Sequence, residues 1–199
     1  MESPTSTLGL VERVKGGDTQ AFALLFRKYR KRLAVLIYYR MGPELRGYAE
    51  CDDILQETFF TASQQLSQFS YRGPGSFMAW LSRIADHAVV DAARFHGRQK
   101  RDGGERLRFR SASNPAGPEP ADSNTPSRIF AKEERVRTLL KKLDELPTEQ
   151  RDVILFAKFE GLSTQEISAR TGKPREAIAL LLHRALKRFR EMQPLEGHS

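Results

Sequence analysis

Gly161 to Arg190 has the sequence GLSTQEISARTGKPREAIALLLHRALKRFR, which predicts two helices joined by a tight turn. Ser163-Thr164-Gln165-Glu166 is a capping box, in which the Ser and Glu side chains satisfy free backbone N–H groups where the first helix begins. That helix is expected to stop at Gly172, and Pro174 suits the first turn of a longer helix that ends near Met192. This layout is typical of a DNA-binding helix-turn-helix, whose second helix enters the major groove.

The second of these helices has an apolar side and a basic side. The apolar seam comprises Ile167 on the first helix and Ile178, Leu182, Ala185 and Phe189 on the second. The cations left for phosphate contacts are Lys173, Arg175, Arg184, Lys187 and Arg188. An ordinary helical hairpin with a solvated basic face is the alternative. The DNA-binding interpretation is favoured because the capping box, the turn glycine and the basic helix coincide.

The rest of the chain predicts further helices. Apolar residues recur at helical spacing over 18–41, over about 50–69 and after Ser76, which is the expected N-cap of the third helix. In the C-terminal half, helices are expected over 128–146 and from Thr148, as N-cap, to Phe159. Nothing in the N-terminal half alternates with a period of two, so the predicted fold class is all-α.

Residues 97–127 differ from both flanks, because Gly, Pro, Ser, Asn and charged residues dominate without a core-forming pattern. The predicted organisation is an N-terminal helical bundle over 1–97, a flexible linker over 98–127 and a helix-turn-helix domain over 128–199. A long ordered loop within one domain is the alternative, but structureless loops beyond ~15 residues are uncommon in compact domains.

The positive charge of the chain is concentrated in three blocks. The 199 residues carry 33 basic and 25 acidic side chains, a net charge of +8. Arg27–Arg32, Arg98–Arg110 and Lys173–Arg190 together carry +14, which leaves −6 for the remainder. A basic balance indicates a polyanionic partner.

Several classes of protein are excluded by composition. The longest clean apolar run, Ala177–Leu182, is far shorter than the ~20 residues of a membrane span. No signal peptide is visible over Met1–Gly9, so a cytoplasmic location without membrane insertion is expected. The single cysteine, Cys51, excludes an internal disulfide framework and a thiolate zinc site, and it is expected to be buried and unreactive.

Two helical faces in the N-terminal half are candidate interfaces. Asp52, Asp53, Gln56 and Glu57 place polar groups on one face, and Phe60 follows one turn later, which suits docking on a basic protein surface. The next helix carries a basic face that suits single-stranded nucleic acid, formed by Arg83, His87, Asp91, Arg94 and Arg98. A solvated helix face is the alternative for both. Trp80 is expected to pack in the core.

Three stretches carry a family resemblance. They are DDILQETF (Asp52–Phe59), FMAWLSRIADHAVVDAAR (Phe77–Arg94) and LPTEQRDVILFAKFEGLSTQEISARTGKPREAIALLLHRALKRF (Leu146–Phe189). Together they resemble the small extracytoplasmic-function (ECF) group of bacterial sigma factors, over nearly the whole chain except the tails and the linker. The resemblance implies a factor that keeps only the second and fourth conserved sigma regions, binds core RNA polymerase and directs it to promoter DNA without a cofactor.

The resemblance also implies roles for the candidate residues. Asp52, Asp53, Gln56, Glu57 and Phe60 would dock on the clamp helices of the largest catalytic polymerase subunit. Recognition and melting of the −10 element would fall to Arg83, His87, Asp91, Arg94 and Arg98. Contacts to the −35 element would fall to Lys173, Arg175, Glu176, Ala179, Leu180, Arg184, Lys187 and Arg188. Members of the group are commonly held by an anti-sigma protein, and the sequence does not show whether this chain has one.

The sequence departs from the family pattern at two places. His87 stands where relatives usually have Asn, so the preferred base can differ. In the recognition helix, Ala179, Leu180 and Leu181 replace Lys, Ser and Arg, and losing a bidentate Arg–guanine contact removes about 1–3 kcal/mol of discrimination. Two hypotheses follow: −35 recognition is weakened or depends on Leu180 against thymine methyl groups, or Leu180 packs on protein.

Two other classes of function are alternatives to a sigma factor. A stand-alone helix-turn-helix regulator with a helical sensor or partner-binding N-terminal domain would lack polymerase binding. An enzyme is disfavoured, because the four histidines, His87, His96, His183 and His198, are scattered and form no triad or metal-ligand spacing. Asp52-Asp53 could imitate a metal-binding pair, but no second carboxylate-rich helix supplies further ligands. Neither a catalytic residue nor a metal site is therefore expected.

Overall fold

Every regular element of the part of the chain that the structure describes is helical. The computed structural model describes residues 6–101 and 134–192, with side chains except those of residues 98–101. The all-α prediction is confirmed. The chain divides into two units, Met1–Ser127 and Arg128–Ser199, and each is described by itself below.

Four helices lie within residues 6–101, the described part of the N-terminal unit. They are α1 (Thr7–Lys15), α2 (Thr19–Arg46), α3 (Cys51–Gln65), which continues as a 3₁₀ turn (Leu66–Gln68), and α4 (Ser76–Arg101). Helix α1 was not predicted from the sequence. It is short and buries only Leu10 and Val11. Its N-cap is Ser6, whose Oγ accepts a hydrogen bond from the Gly9 N–H at 3.0 Å.

Helix α2 is delimited by an acidic cap and a glycine break. Asp18 Oδ1 accepts from the backbone N–H groups of Gln20 (2.9 Å) and Ala21 (3.0 Å). The hydrogen bonds from the Arg13 guanidinium hold the pKa of Asp18 below its usual range. The expected end at Met41 is confirmed as a break, because Gly42 has φ 64° and ψ 165°, a left-handed conformation that glycine adopts without strain. A short further helical stretch reaches Arg46.

The entry to α4 differs from the sequence-based expectation. Ser76 is the first residue of α4 rather than its N-cap. Its Oγ donates to the Gly73 carbonyl at 2.7 Å and accepts from the Arg72 N–H at 3.2 Å, so the hydroxyl closes the preceding turn. Positive φ values at Gly73 (118°) and Gly75 (90°) build that turn. The Ser76 prediction was wrong because this turn brings the chain into helical geometry one residue early.

The core of the N-terminal unit lies where α2, α3 and α4 meet. Its aliphatic centre, at most 2% exposed, comprises Leu25, Leu33, Leu36, Ile37, Ile54, Leu55, Met78 and Leu81. An aromatic cluster extends it: Phe77 contacts Tyr29 (ring centroids 5.0 Å apart) and Trp80 (5.5 Å), and Trp80 contacts Phe69 (5.0 Å). Trp80 therefore packs among protein rings, as predicted.

Residues 134–192, the part of the C-terminal unit that the structure describes, also contain four helices. They are α5 (Glu134–Asp144), α6 (Thr148–Ile154), which continues as a π-helical segment (Leu155–Glu160), α7 (Thr164–Thr171) and α8 (Arg175–Glu191). The expected helical residues 128–133 lie outside the described residues. Thr148 is the first residue of α6 rather than its cap; extended Pro147 (ψ 142°) takes the cap position, and its carbonyl accepts from the Arg151 N–H.

The helix-turn-helix has the predicted capping box and turn. Ser163 Oγ accepts from the Glu166 N–H at 3.2 Å, and Glu166 Oε2 accepts from the Ser163 N–H at 2.7 Å. Gly172 ends α7 in the left-handed conformation, φ 71°. Ser168 Oγ donates to the Lys173 carbonyl at 2.7 Å across the turn. These contacts fix the angle at which α8 leaves α7.

Replacing the cap should destabilise the C-terminal unit selectively. Ser163→Ala is expected to lower its free energy of unfolding by about 1 kcal/mol, because the Glu166 N–H loses its acceptor. Ser163→Asp, which keeps an acceptor, should retain most of the stability, and Gln165→Ala, at an exposed neighbour, should change little. Amide hydrogen exchange of α7 measures the effect.

The single tryptophan, Trp80, lies in the other unit and supplies an internal control. Its fluorescence-detected transition in denaturant should be unchanged by Ser163→Ala. Equal α7 exchange rates in wild type and Ser163→Ala would contradict the role of the capping box.

Candidate protein and nucleic-acid interfaces

Helix α8 places its apolar seam inward. Ile167 of α7 and Ile178 and Ala185 of α8 are at most 1% exposed. Leu182 and Phe189 are half-buried, and Phe189 lies under the Lys142 ammonium, 5.6 Å from the ring centroid. The seam predicted from the sequence is confirmed, so the orientation of α8 is fixed along its length.

The predicted −35 residues lie on one accessible surface of α8 and its turn. Exposed among them are Arg175, Glu176, Ala179, Leu180, Arg184, Lys187 and Arg188. Lys173 is half-buried, and its Nζ lies 2.6 Å from Glu149 Oε1 in α6. Lys187 Nζ is 3.9 Å from Glu191 Oε1 on a well-exposed part of the helix. Exposed ion pairs of this kind are weak, so both lysines can exchange a carboxylate for a phosphate.

An ion pair between a buried glutamate and an exposed arginine, which no sequence pattern predicted, holds α7 against the preceding segment. Glu160 is 3% exposed, and its Oε2 lies 2.7 Å from Arg170 Nη1. The Arg170 guanidinium also covers the Phe156 ring, 4.6 Å from its centroid. The π-helical turn that contains both Phe156 and Glu160 sets this geometry, and helical periodicity alone does not indicate it.

The candidate protein-docking face of α3 is narrower than predicted. Gln56 and Phe60 are exposed, Phe60 at 39%, and Asp52 is half-buried; these three residues are spaced by four and share one face. Glu57 is half-buried, and its Oε2 has no hydrogen-bond partner within the described residues. Asp53 is only 5% exposed, so the structure corrects its placement: it belongs to the interior of the bundle and not to this face.

The candidate nucleic-acid face of α4 is accessible from Arg83 to Arg94. Arg83, His87, Asp91 and Arg94 are all exposed, opposite the buried residues Leu81, Ala85 and Ala92. Asp91 Oδ1 lies 3.6 Å from Arg94 Nη1, and both side chains are about 70% exposed. The side chain of Arg98 lies outside the described residues.

An arginine of α2 positions this face. Arg40 Nη1 donates to the Ser82 carbonyl at 2.9 Å, Nη2 donates to Ser82 Oγ at 2.6 Å, and Nε lies 3.1 Å from Asp86 Oδ1. The Arg40 side chain is only 14% exposed. All three guanidinium nitrogens therefore act on one turn of α4, directly before His87. No local pattern distinguishes Arg40 in the sequence, because its partners Ser82 and Asp86 lie 42 and 46 residues away.

Cys51 is buried at the start of α3, and its Sγ donates to the Ala34 carbonyl at 3.5 Å. Burial, with a smaller contribution from Asp52, raises the pKa of the Cys51 thiol well above its usual range. The thiol therefore stays protonated, which confirms the prediction of an unreactive residue.

Comparison with known proteins decides the family. The model of the family described as "ECF sigma factor" matches residues 5–192. This chain belongs to the ECF sigma factor family. ECF sigma factors direct transcription initiation by RNA polymerase at promoters, and this chain is such a factor. The family consists of initiation factors rather than enzymes.

Individual relatives of this sigma factor cover most of its length. ECF RNA polymerase sigma factor BldN of Streptomyces coelicolor is 32% identical over 188 residues, which are 93% of this chain and 65% of BldN. RNA polymerase sigma-H factor of Pseudomonas aeruginosa is 30% identical over 94% of this chain and 93% of its own length. The structure of CnrH in complex with the cytosolic domain of CnrY aligns with a TM-score of 0.46 at 23% identity, over 91% of this chain and 92% of that one.

No helix within residues 6–101 and 134–192 of the sigma factor has the length and apolar content that crossing a membrane requires. In the same ranges, no three His, Cys, Asp or Glu side chains are grouped to hold a metal ion.

Removing the Arg40 guanidinium should loosen α4 of the sigma factor. Arg40→Met is expected to lower the free energy of unfolding of the N-terminal unit by about 2 kcal/mol, because the buried Ser82 hydroxyl and carbonyl lose a charged donor. Asp86→Asn should cost less than about 1 kcal/mol, since Asp86 is 40% exposed. Urea titration followed by Trp80 fluorescence measures both. Equal losses for the two variants would show that the Ser82 contacts contribute nothing beyond the ion pair.

Proposed function

We propose that the N-terminal unit binds polymerase through α3 and promoter DNA through α4, while the C-terminal unit binds a second promoter element through α8. The observation that carries the proposal is the pairing of an acidic face on α3 with a basic face on α4, within one helical unit. Opposite charges on two faces of one unit suit two different partners, one a basic protein surface and the other a nucleic acid.

The α3 face has the features of a small protein-docking site. Phe60 supplies an exposed aromatic ring that a partner pocket can bury, and Gln56 and Asp52 border it one and two turns earlier, respectively. Glu57 follows Gln56 with a half-buried side chain, and its oxygen without a hydrogen-bond partner in the described ranges is itself buried, so the exposed residues carry the docking face. The family resemblance makes the clamp helices of the largest polymerase subunit the proposed partner. Asp53 lies inside the bundle and is not part of the proposed docking face.

The α4 face suits the −10 element as a separated strand. Arg83 and Arg94 present cations for backbone phosphates, and His87 between them presents a planar ring that can stack on an extruded base. Asp91 lies 3.6 Å from Arg94 in a well-exposed pair, so Arg94 can exchange this carboxylate for a phosphate. Arg98 continues the same spacing and stays a prediction.

The α8 face suits duplex DNA at the −35 element. Its inward seam leaves the outward side chains free to enter a major groove, and its cations are distributed over both halves of the helix. A factor with this role works on DNA in the cytoplasm. An anti-sigma protein, which members of this group commonly bind, is proposed as a regulator on family membership alone.

Core polymerase binding tests the α3 part of the proposal. Phe60→Ala and Asp52→Lys should each weaken the affinity of the full chain for core RNA polymerase roughly tenfold, because one removes the aromatic anchor and the other reverses a border charge. Glu12→Lys, an identical charge change at an exposed site on α1, should leave affinity unchanged. Fluorescence anisotropy of the labelled chain measures the dissociation constants.

Asp53→Asn provides a second comparison at the corrected position. Because Asp53 is buried, this variant should lower the free energy of unfolding, measured by Trp80 fluorescence in denaturant. Its dissociation constant for core polymerase should change less than that of Asp52→Lys. If Phe60→Ala, Asp52→Lys and Glu12→Lys all bind like wild type, polymerase does not dock on this face.

A further inference from the structure

Leu180 is half-exposed on a helix face that is otherwise polar. With 50% of its surface accessible, it has the largest exposed fraction among the large apolar side chains in the described ranges. It lies in the second turn of α8 and points away from the seam formed by Ile178 and Ala185. The side chain therefore contributes little to the core, and a binding partner can recover the free energy that its exposure costs.

The nearest exposed neighbours of Leu180 are alanines, and charged side chains lie one turn before and one turn after it on the helix. Ala177 and Ala179 are exposed and too short to hold a partner away from the leucine. Glu176 lies one turn before it, and Arg184 lies one turn after it on the same face. The result is one projecting apolar group whose C-terminal border is cationic.

The position along α8 matters as much as the surroundings. In a helix-turn-helix, side chains in the N-terminal half of the second helix reach the base edges, and later ones reach phosphates. Leu180 falls in that half, while Arg184, Lys187 and Arg188 fall in the other. The Gly172 turn and the Ser168–Lys173 hydrogen bond hold this entry in place.

We infer that Leu180 recognises a thymine of the −35 element through the thymine 5-methyl group. This inference rests on the proposed function, since it requires α8 to lie in the major groove. A leucine side chain neither donates nor accepts a hydrogen bond, and the thymine methyl is the one apolar group that a base pair presents in that groove. The cationic border favours this partner over an apolar protein surface, because phosphates line both edges of the groove.

The test exchanges thymine for uracil, which removes only the methyl group. The holoenzyme, formed from core polymerase and the full chain, first selects its −35 element from a randomised duplex. Each thymine of that element is then replaced singly by uracil, with uracil in the spacer as the matched control. Wild-type holoenzyme should lose about fourfold in affinity at one position, the value expected for one buried methyl group.

Variants of Leu180 show whether this side chain causes the loss of affinity for the uracil duplex. Leu180→Ala holoenzyme should bind the thymine and uracil duplexes equally, whereas Leu180→Met, which keeps an apolar contact, should retain the preference for thymine. Loss at the same position in both wild type and Leu180→Ala would overturn the role of Leu180.

The outcomes also separate this inference from the proposed function. A holoenzyme that selects no −35 element would contradict the proposed role of α8. A selected element without a thymine, or with no thymine sensitive to uracil, overturns only the role of Leu180. If Leu180→Ala instead weakens binding to core polymerase, the side chain belongs to a protein contact.

Discussion

The contact of the Arg40 guanidinium with a single turn of α4 is the constraint on which the N-terminal unit depends. Helix α4 buries one side against the bundle and exposes the other side, which carries Arg83, His87 and Arg94. Its apolar residues provide burial, but apolar packing alone does not fix rotation about the helix axis. Three directed contacts from Arg40 to Ser82 and Asp86 fix that rotation, immediately before His87. Directed contacts have the same role in the C-terminal unit. There the capping box, Gly172 and the Glu160–Arg170 pair fix the position of α7 and therefore the orientation of α8.

The distribution of charge connects these constraints to function. A net charge of +8 describes a generic basic protein, but the excess of positive charge lies in three blocks, and the remainder of the chain has a net negative charge. One block is the outward face of α8, and the acidic remainder includes Asp52 on α3. Membership of the ECF sigma factor family gives both features a common explanation, because such a factor must bind a protein and DNA at the same time. The Ala179-Leu180-Leu181 run stands where the family pattern has Lys, Ser and Arg, and it leaves the apolar side chain of Leu180 exposed on α8.

Local patterns in the sequence predicted most of the fold. The capping box, the helical spacing over α2, α3 and α4 and the glycine turns depend on neighbours within a few residues, and the structure confirms them. The errors arose where tertiary contacts decide. Asp53 belongs to the same polar stretch of α3 as Asp52 and Gln56, yet its side chain is buried in the bundle. Ser76 and Thr148 are good capping residues displaced by the turn before them. Arg40–Ser82 and Glu160–Arg170 involve partners that no periodicity connects, and α1 is too short to show a pattern.

The central claim is that this chain directs RNA polymerase to a specific set of promoters. Sequencing the 5′ ends of transcripts made in vitro by core polymerase, with and without the protein, tests it most directly. The account predicts new start sites that appear only with the protein and share two upstream sequence elements at a fixed spacing. Start sites identical to those of core polymerase alone would contradict it.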